Sequence, residues 1–413
     1  MTTTEPATIP EFELSLSRRL EPEILANPYP LYDRLRREDP VHWDPFLHAW
    51  VVTRYADVVA VLHRFLAQRM PTPEQFTELG LSELNPIAEV IVRQMIFMDP
   101  PSHTRLRALC AAAFSPARVE KLKEHIQEIT DDLLAPVLPQ GRMDLIADFA
   151  NLLPATVTAE LMGVPLSDRD LLKQWSWDFS EVLGNFQHNP GRTAAMLKVV
   201  DEVSNYYRDQ IREQRKHPRE GVVLALMNAE IDGDRLTEEE IIANSIITMT
   251  GGQETTTNLI GNGMLALLQN PDQLEALRSD PSLMPGAIEE MLRFDSPIQH
   301  TGRLAPEDME LGGRLIRKRQ AVMAVIAAAN HDPERFPQPK RFDVRRPDNR
   351  HLAFGWAAHY CFGAPLARME GHIAFSTILR RTRHLALDTD SVVYRHNLAF
   401  RGLEQLPLKY EPV

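Results

Sequence analysis

A capping box, Thr237 with Glu240, opens a helical pattern that runs on to Asn270, where Pro271 stops it. About thirty residues at ~1.5 Å each make a rod of about 50 Å, long enough to cross a whole domain. Any fold this chain adopts must be arranged around that rod. Its middle breaks the local rules. Gly251 and Gly252 are adjacent, each costing roughly 1 kcal/mol relative to Ala. Thr255, Thr256 and Thr257 follow, with hydroxyls that back-bond to a helix and bend it, and Glu254 lies among them. Glycines, an acid and hydroxyls inside a long helix make a poor rod and a good reaction site. A kink without chemistry is the alternative.

The second constraining stretch is His351 to Gly371, HLAFGWAAHYCFGAPLARMEG. It holds Cys361, one of two cysteines. Pro365 then opens a helical pattern with Leu366, Met369 and Ile373 on one face. A glycine-punctuated loop thus delivers a cysteine to a helix N-terminus, where free N–H groups and the dipole favour thiolate. Such a thiolate serves as a nucleophile, with His359 as base, or as a metal ligand. A packed structural cysteine is the other reading. Cys110, in the run LCAAAF, reads as a small core residue.

Composition bounds the function. Across 413 residues, 44% are apolar, enough for a sizeable core, and no Gly/Ser-rich linker divides the chain. The formal charge of −12 argues against nucleic acid as a partner. Two cysteines make no disulfide framework, which points to a reducing cytoplasm. The first residues, MTTTEPATIPEFELS, do not read as a signal peptide, and no run suits a membrane span.

Along the chain, residues 1–27 read as a Pro- and Glu-rich surface arm. Pro28 to Glu38 reads as a helix with Leu31 and Leu35 inward, Val41 to Thr53 as a hairpin, and Asp57 to Phe65 as helix. Residues 70–95, with Pro71, Pro73 and Pro86, read as irregular. Asp99-Pro100-Pro101 starts a helix on which His103 and Arg107 share a face. Helical patterns dominate from Pro116 to Arg215, with Trp175, Trp177, Phe179 and Phe186 clustered. Gly312-Gly313 reads as a turn between short strands, and NLAFRGLEQLPLKY as a closing hairpin with Phe400 at its tip.

The cysteine loop resembles the haem-binding signature of the cytochrome P-450 family, Phe-Gly-x-Gly-x-His-x-Cys-x-Gly. Phe354, Gly355, His359, Cys361 and Gly363 match, and Ala357 stands where the family has its second glycine. The segment GGQETT resembles the family's oxygen-binding motif, with its acid and alcohol at Glu254 and Thr255. Glu290 and Arg293 fall at the family's Glu-x-x-Arg pair; Arg341 is the expected third member, with Arg346 the alternative. Three segments in the family's order carry the resemblance over nearly the whole chain.

The resemblance implies a mainly α cytochrome P-450 fold, a single domain over 1–413 in which a helical prism with small β-sheets encloses haem b. Cys361 would be the iron ligand. His103, Arg107, Arg303 and His359 would meet the haem propionates, with Phe354 and Gly363 completing the cofactor site. Glu254 and Thr255 would deliver protons; Glu290, Arg293 and Arg341 would be structural. Ile247, Thr250, Gly251, Ile298, Gln299 and Phe400 would line an apolar substrate pocket, with residues 70–95 and 175–186 covering it. The implied function is a monomeric, unanchored monooxygenase. It would hydroxylate or epoxidise a mid-sized small-molecule substrate with O₂ and electrons from a separate ferredoxin or flavodoxin. The partner would dock beside the cysteine, on a patch of Arg105, Arg118, Lys121, Lys123 and Arg368. A peroxygenase or oxidative coupling enzyme, and a haem sensor without turnover, are the alternatives.

Overall fold

The computed structural model describes residues 14–111, 116–185 and 192–413; Phe186 and the side chain of Arg118 lie outside them. The rod is present as one uninterrupted α-helix, Glu238–Gln269. Its capping box closes in both directions: Glu240 N donates to Thr237 Oγ1 (3.2 Å) and Thr237 N donates to Glu240 Oε2 (2.9 Å). Three glutamates in the first turn favour the dipole. Asn270 turns its amide back on the Ala266 carbonyl, and Pro271 opens the next helix.

The helices Leu152–Met162, Arg169–Asn185, Thr193–Lys216 and Ala364–Arg381 pack along this rod. Two apolar cores meet on it. Ile241, Ile246 and Met249 join one with Phe179, Tyr207 and Ile211. Leu259, Ile260 and Met264 join the other with Phe149, Met291 and Phe375. Each large apolar side chain buried this way contributes about 1.5–3 kcal/mol. Gly263 sets the spacing in the second core: a Cβ there would fall 2.8 Å from both Met291 Sδ and Phe375 Cζ. The polar segment Gly251–Thr257 belongs to neither cluster. It lies at the seam between two rigid bodies of packing, a good place to hold reactive groups still.

Small sheets flank the helices. Strands β1 (Val41–Asp44), β2 (Ala49–Val52), β3 (Arg142–Asp144), β4 (Glu230–Ile231), β5 (Asp234–Arg235), β6 (Thr301–Leu304), β7 (Met309–Leu311), β8 (Arg314–Ile316), β9 (Ala321–Ala324), β10 (Thr382–Leu387) and β11 (Pro407–Pro412) follow in chain order. The largest sheet runs β1-β2-β9-β6, with Trp50 opposite Val322 in the parallel β2–β9 pair and Arg303 opposite Val322 in the antiparallel β6–β9 pair. A second runs β10-β11-β3, and β4-β5 and β7-β8 are hairpins. Gly312 and Gly313 both take positive φ between β7 and β8, as the turn reading requires.

Four expectations are corrected. The segment from Leu14 is not a surface arm. Leu14 and Leu16 are buried, Leu16 N donates to Asp44 Oδ2 (2.8 Å), and the fully buried Arg19 donates to the Leu398, Asn397 and Phe400 carbonyls. Its polar composition concealed Leu14 and Leu16, which join a core cluster with Leu31, Leu35 and Val325. Residues 70–95 are not irregular, for they contain helices Pro73–Glu78 and Asn85–Ile91. Their prolines stand in the first turn, where the missing N–H costs nothing, so they start helices rather than break them. The closing segment pairs only through single bridges, Tyr394 with Leu403 and Phe400 with Ile298, before β11 joins its sheet.

The fourth correction concerns the ion-pair network. Glu290 and Arg293 are fully buried and pair side-on, Nε to Oε2 and Nη2 to Oε1, both at 2.8 Å. The third member is Arg346, whose Nε reaches the two Glu290 oxygens at 3.2 and 3.0 Å. Asn349 Nδ2 and Asp343 N complete the carboxylate's shell. Arg341 offers only its carbonyl, which accepts from Arg346 and Arg293, while its guanidinium is 60% exposed. The turn that puts its carbonyl inward puts its side chain outward. Hydrogen bonds to a buried charge contribute about 1.5–3 kcal/mol. Arg346→Ala therefore lowers the urea midpoint of the haem-loaded protein by a stability loss of about that size. Arg341→Ala stays within about 0.5 kcal/mol, as surface changes do. Equal losses in the two variants would contradict the assignment.

Candidate haem-thiolate site

The cysteine loop is held by its own backbone. Gly355 N donates to Leu352 O (2.8 Å), Tyr360 N to Ala357 O (3.1 Å) and Cys361 N to Phe354 O (2.9 Å). Gly355 has φ of 74°, and Ala357 has φ of 55° and starts a single 3₁₀ turn to His359. The helix Ala364–Arg381 begins directly after Gly363, with Pro365 in its first turn. Cys361 is exposed, yet protein crowds it closely enough that desolvation raises its thiol pKa. The N–H groups of Gly363 and Ala364, with Arg107 and Arg368, pull the other way. For Cys110 only Arg107 opposes desolvation. This cysteine is buried, its thiol is pushed up to about 12 mainly by desolvation, and it is the core residue its surroundings imply.

Behind the loop, Arg368 stacks 4.5 Å over Phe354 and forms a two-point ion pair with Glu289 (2.7 and 2.8 Å). His351 adds a third contact at 3.2 Å. Burial works to raise the Glu289 pKa, but Arg368 and His351 outweigh it and hold it at about 2. The loop is thus braced from below by a carboxylate that stays ionised.

The expected cations converge with an addition. His103, on the helix Ser102–Ala111, lies ring to ring with His359 at 4.1 Å, and Arg107 one turn on donates to the Tyr360 carbonyl (2.6 Å). Arg303 comes from β6. Arg69, absent from every sequence motif, joins it, donating to Ala67 O and Ile96 O and stacking 4.1 Å over Phe97. Gly302 makes room for it, since a Cβ there would fall 2.9 Å from Arg69 Cδ. A glycine beside Arg303 is the faint sequence trace of this neighbour. Burial, and then the charge of Arg303, lowers Arg69 to about 9; burial lowers Arg303 to about 10. His359 is pushed down to about 3 by burial and by Arg303, His103, Arg69 and Arg107. The carboxylate that acts on this group, Asp99, is engaged by the N–H groups of Ala67 and Gln68. Buried His103 Nε2 and Arg303 Nε have no partner. A cluster of crowded cations with spare donors is a site for anionic groups, and the two propionates of haem b fit it.

On the long helix, Gly251 is bare: a Cβ there would meet nothing within 4 Å. The half-buried Thr255 donates its hydroxyl to the Gly251 carbonyl (2.7 Å). Glu254 is buried and turns to Arg395 and Asn258. Among the expected pocket residues, Ile247 is buried, Gly251 is open, and Ile298 and Phe400 pair at a half-buried bridge. Gln299 does not face a pocket. It is fully buried, accepting from Tyr32 Oη (2.9 Å) and donating to Ser296 O (2.7 Å). Thr250 is likewise closed into the core, its hydroxyl on Ile246 O (3.1 Å). The docking patch also changes. Arg105 is clamped by Asp234 and Glu240, and Arg368 by Glu289, so neither offers free charge.

Ala357 keeps the left-handed backbone that a glycine would occupy freely. That conformation costs a residue with a Cβ about 1–2 kcal/mol, against roughly 0.4–1 kcal/mol gained from its stiffer unfolded chain. Ala357→Gly therefore raises the thermal midpoint of the haem-loaded protein, by up to about 1.6 kcal/mol of stability, and leaves the Soret band in place. A lowered midpoint would mean that alanine is at home in an ordinary φ region.

Comparison with known proteins bears on the whole assembly. The profile described as Cytochrome P450 matches residues 84–410. The chain is 39% identical over 370 residues to Cytochrome P450 CYP107DY1 of Priestia megaterium, covering 87% of this chain and 89% of that one. The crystal structure of P450BioI in complex with hexadec-9Z-enoic acid-ligated acyl carrier protein aligns with a TM-score of 0.88 at 36% identity, over 94% of this chain and 100% of that one. The myxobacterial cytochrome P450 CYP267B1 in complex with myristic acid aligns with a TM-score of 0.86 at 36% identity, over 95% and 99%. Among the described residues no helix is long and apolar enough to cross a membrane. Sequence shared along nearly the full length of these chains, on the same fold, makes this protein a member of the cytochrome P450 family, the haem b monooxygenases.

Proposed function

We propose that this enzyme inserts one atom of O₂ into a mid-sized organic substrate, by hydroxylation or epoxidation, with two electrons from a separate ferredoxin or flavodoxin. The observation that carries this reading is the pair Glu254–Thr255 beside the bare Gly251, at the seam between the two cores. Proton delivery needs an acid and a hydroxyl; a sensor has no use for either.

Haem b, held through Cys361, would supply electron-rich iron for the reduction of O₂. The protein does the rest. Cys361 would be the ligand, its sulfur steadied by the N–H groups of Gly363 and Ala364. Phe354 would help enclose the cofactor, and Arg69, His103, Arg107, Arg303 and His359 would meet the propionates. Thr255 Oγ1, which donates to the Gly251 carbonyl, would hold a proton where O₂ binds, and Glu254 would resupply it from solvent. Ile247, Ile298 and Phe400 give the pocket its apolar walls. The electron partner approaches the outer face of the cysteine loop, where a cavity of about 630 Å³ is lined by Trp356, Ala357, Tyr360, Arg350 and Arg368. With Arg105 and Arg368 already paired, that docking depends less on salt than a free basic patch would.

The test uses myristic acid as the first probe of a ligand panel, with a ferredoxin, its reductase and ¹⁸O₂. A ligand that shifts the Soret band yields product carrying one ¹⁸O. Thr255→Ala keeps haem and ligand binding but diverts reducing equivalents to peroxide. Equal turnover with peroxide alone, and unchanged coupling in Thr255→Ala, would favour the peroxygenase reading. No oxidation of any bound ligand would favour the sensor.

A further inference from the structure

The apolar wall formed by Ile298 and Phe400 is not part of a regular sheet. Around their single bridge, Gln299 N donates to Ala399 O and Arg401 N to Pro297 O, both at 2.8 Å. Phe400 closes a tight turn that begins at Asn397, whose Oδ1 accepts from Ala399 N (3.0 Å) and Phe400 N (2.9 Å). The carbonyls of Asn397, Leu398 and Phe400 converge, and a single guanidinium takes all three. Arg19 Nη1 donates to Leu398 O, and Nη2 to Asn397 O (3.2 Å) and Phe400 O (3.4 Å).

Arg19 comes from the far end of the chain, on the 3₁₀ helix Leu16–Leu20. That helix is anchored ahead of Arg19 by Asp44, which accepts from Ser15 Oγ (2.9 Å) and Leu16 N (2.8 Å). Beyond it, Arg401 donates to Leu25 O (2.6 Å) and Ala26 O (3.0 Å) while its Nε holds Asp295 (2.6 Å). Arg19 is fully buried, and among the described residues no carboxylate pairs with it. A guanidinium taken out of water is unfavourable unless its donors are used, and here the planar fork is used on the peptide groups of one turn. Both peptide planes that flank Phe400 are thereby pinned, its N–H by Asn397 and its carbonyl by Arg19. Only the rotamer of the ring is left free.

We propose that Arg19 is a positioning residue for substrate selection: by holding the Phe400 carbonyl it fixes how far the Phe400 ring stands out from the pocket wall, and so which apolar chains the pocket accepts. A wall residue on a turn without sheet support needs a rigid brace from elsewhere, and the N-terminal segment supplies it. A brace that only stabilised the fold would leave ligand preference unchanged. This one differs because the braced carbonyl and the apolar ring belong to the same residue. The inference rests on the reading of Phe400 as a wall of the substrate pocket.

The test uses haem-loaded protein and two probes, 1-methylimidazole and 1-dodecylimidazole. The ring nitrogen of each ligates haem iron and shifts the Soret band, while the long chain samples the pocket walls. The readout is the ratio of the methyl to the dodecyl dissociation constant. Arg19→Gln lowers that ratio about tenfold, the scale of a lost methylene contact, and leaves 1-methylimidazole binding unchanged. Phe400→Ala lowers it similarly, and the double variant Arg19→Gln/Phe400→Ala lowers it no further, because Arg19 acts through Phe400. Arg19→Lys keeps the charge but not the fork and gives an intermediate ratio. Ser15→Ala loosens the same segment away from the turn, so it lowers the thermal midpoint and keeps the parent ratio. If Phe400→Ala lowers the ratio while Arg19→Gln matches the parent, the positioning role is refuted and the pocket reading stands. Additive losses in the double variant, or an equal loss in Ser15→Ala, would also overturn it. Where Arg19→Gln yields no haem-loaded protein, a parent ratio in Arg19→Lys refutes the role. If Phe400→Ala leaves the ratio unchanged, the reading of Phe400 as a pocket wall falls, and the inference with it.

Discussion

A thiolate taken out of water is unfavourable unless donors and cations surround it, and most of the site answers that one demand. Gly355 and Ala357 fold the loop so that the sulfur meets the first N–H groups of the helix Ala364–Arg381. Arg107 spans from its own helix to the Tyr360 carbonyl, one residue from the cysteine. Arg368 locks to Glu289 and covers Phe354. Loop, helix N-terminus and cations all oppose the desolvation that raises the Cys361 thiol pKa.

The same demand explains charge kept deep in the protein. Glu290, Arg293 and Arg346 form a buried network behind the loop, with Arg293 also donating to the Asn330 and Pro339 carbonyls. Buried ion pairs are poor sources of stability compared with apolar packing. What this one provides is registry, since a guanidinium that must satisfy several fixed acceptors tolerates only one arrangement of the segments 330–349. Elsewhere around the loop, Arg69 and Arg303 are buried close together with Arg107 nearby, and the same crowding disfavours charge on His103 and His359. An anion bound among them would relieve that crowding.

Much of this was legible in the sequence, and the exceptions share a cause. The long helix was readable to its caps, because Thr237, Glu240 and Pro271 act locally. The cysteine loop was readable because glycine and proline constrain the backbone directly, and Ala357 kept the conformation expected of the glycine it replaces. What escaped depends on contacts between distant segments. Arg69 meets Arg303 only through the fold. Arg346 rather than Arg341 reaches Glu290 because of how the chain turns after Phe342. Gln299 sits at a site-forming position, yet Tyr32, some 267 residues earlier, draws its side chain into the core. Glu254 stands out in sequence as an acid beside two glycines, but nothing near it announces Arg395 as its partner.

All of this stands on Cys361 as the ligand to iron, and the absorption spectrum of the reduced protein under CO tests it most directly. The account predicts the red-shifted Soret band of a thiolate complex in the parent protein and its loss in Cys361→Ala, with Cys110→Ala unaffected. A histidine-type CO spectrum in the parent, or a thiolate band that survives in Cys361→Ala, would contradict it.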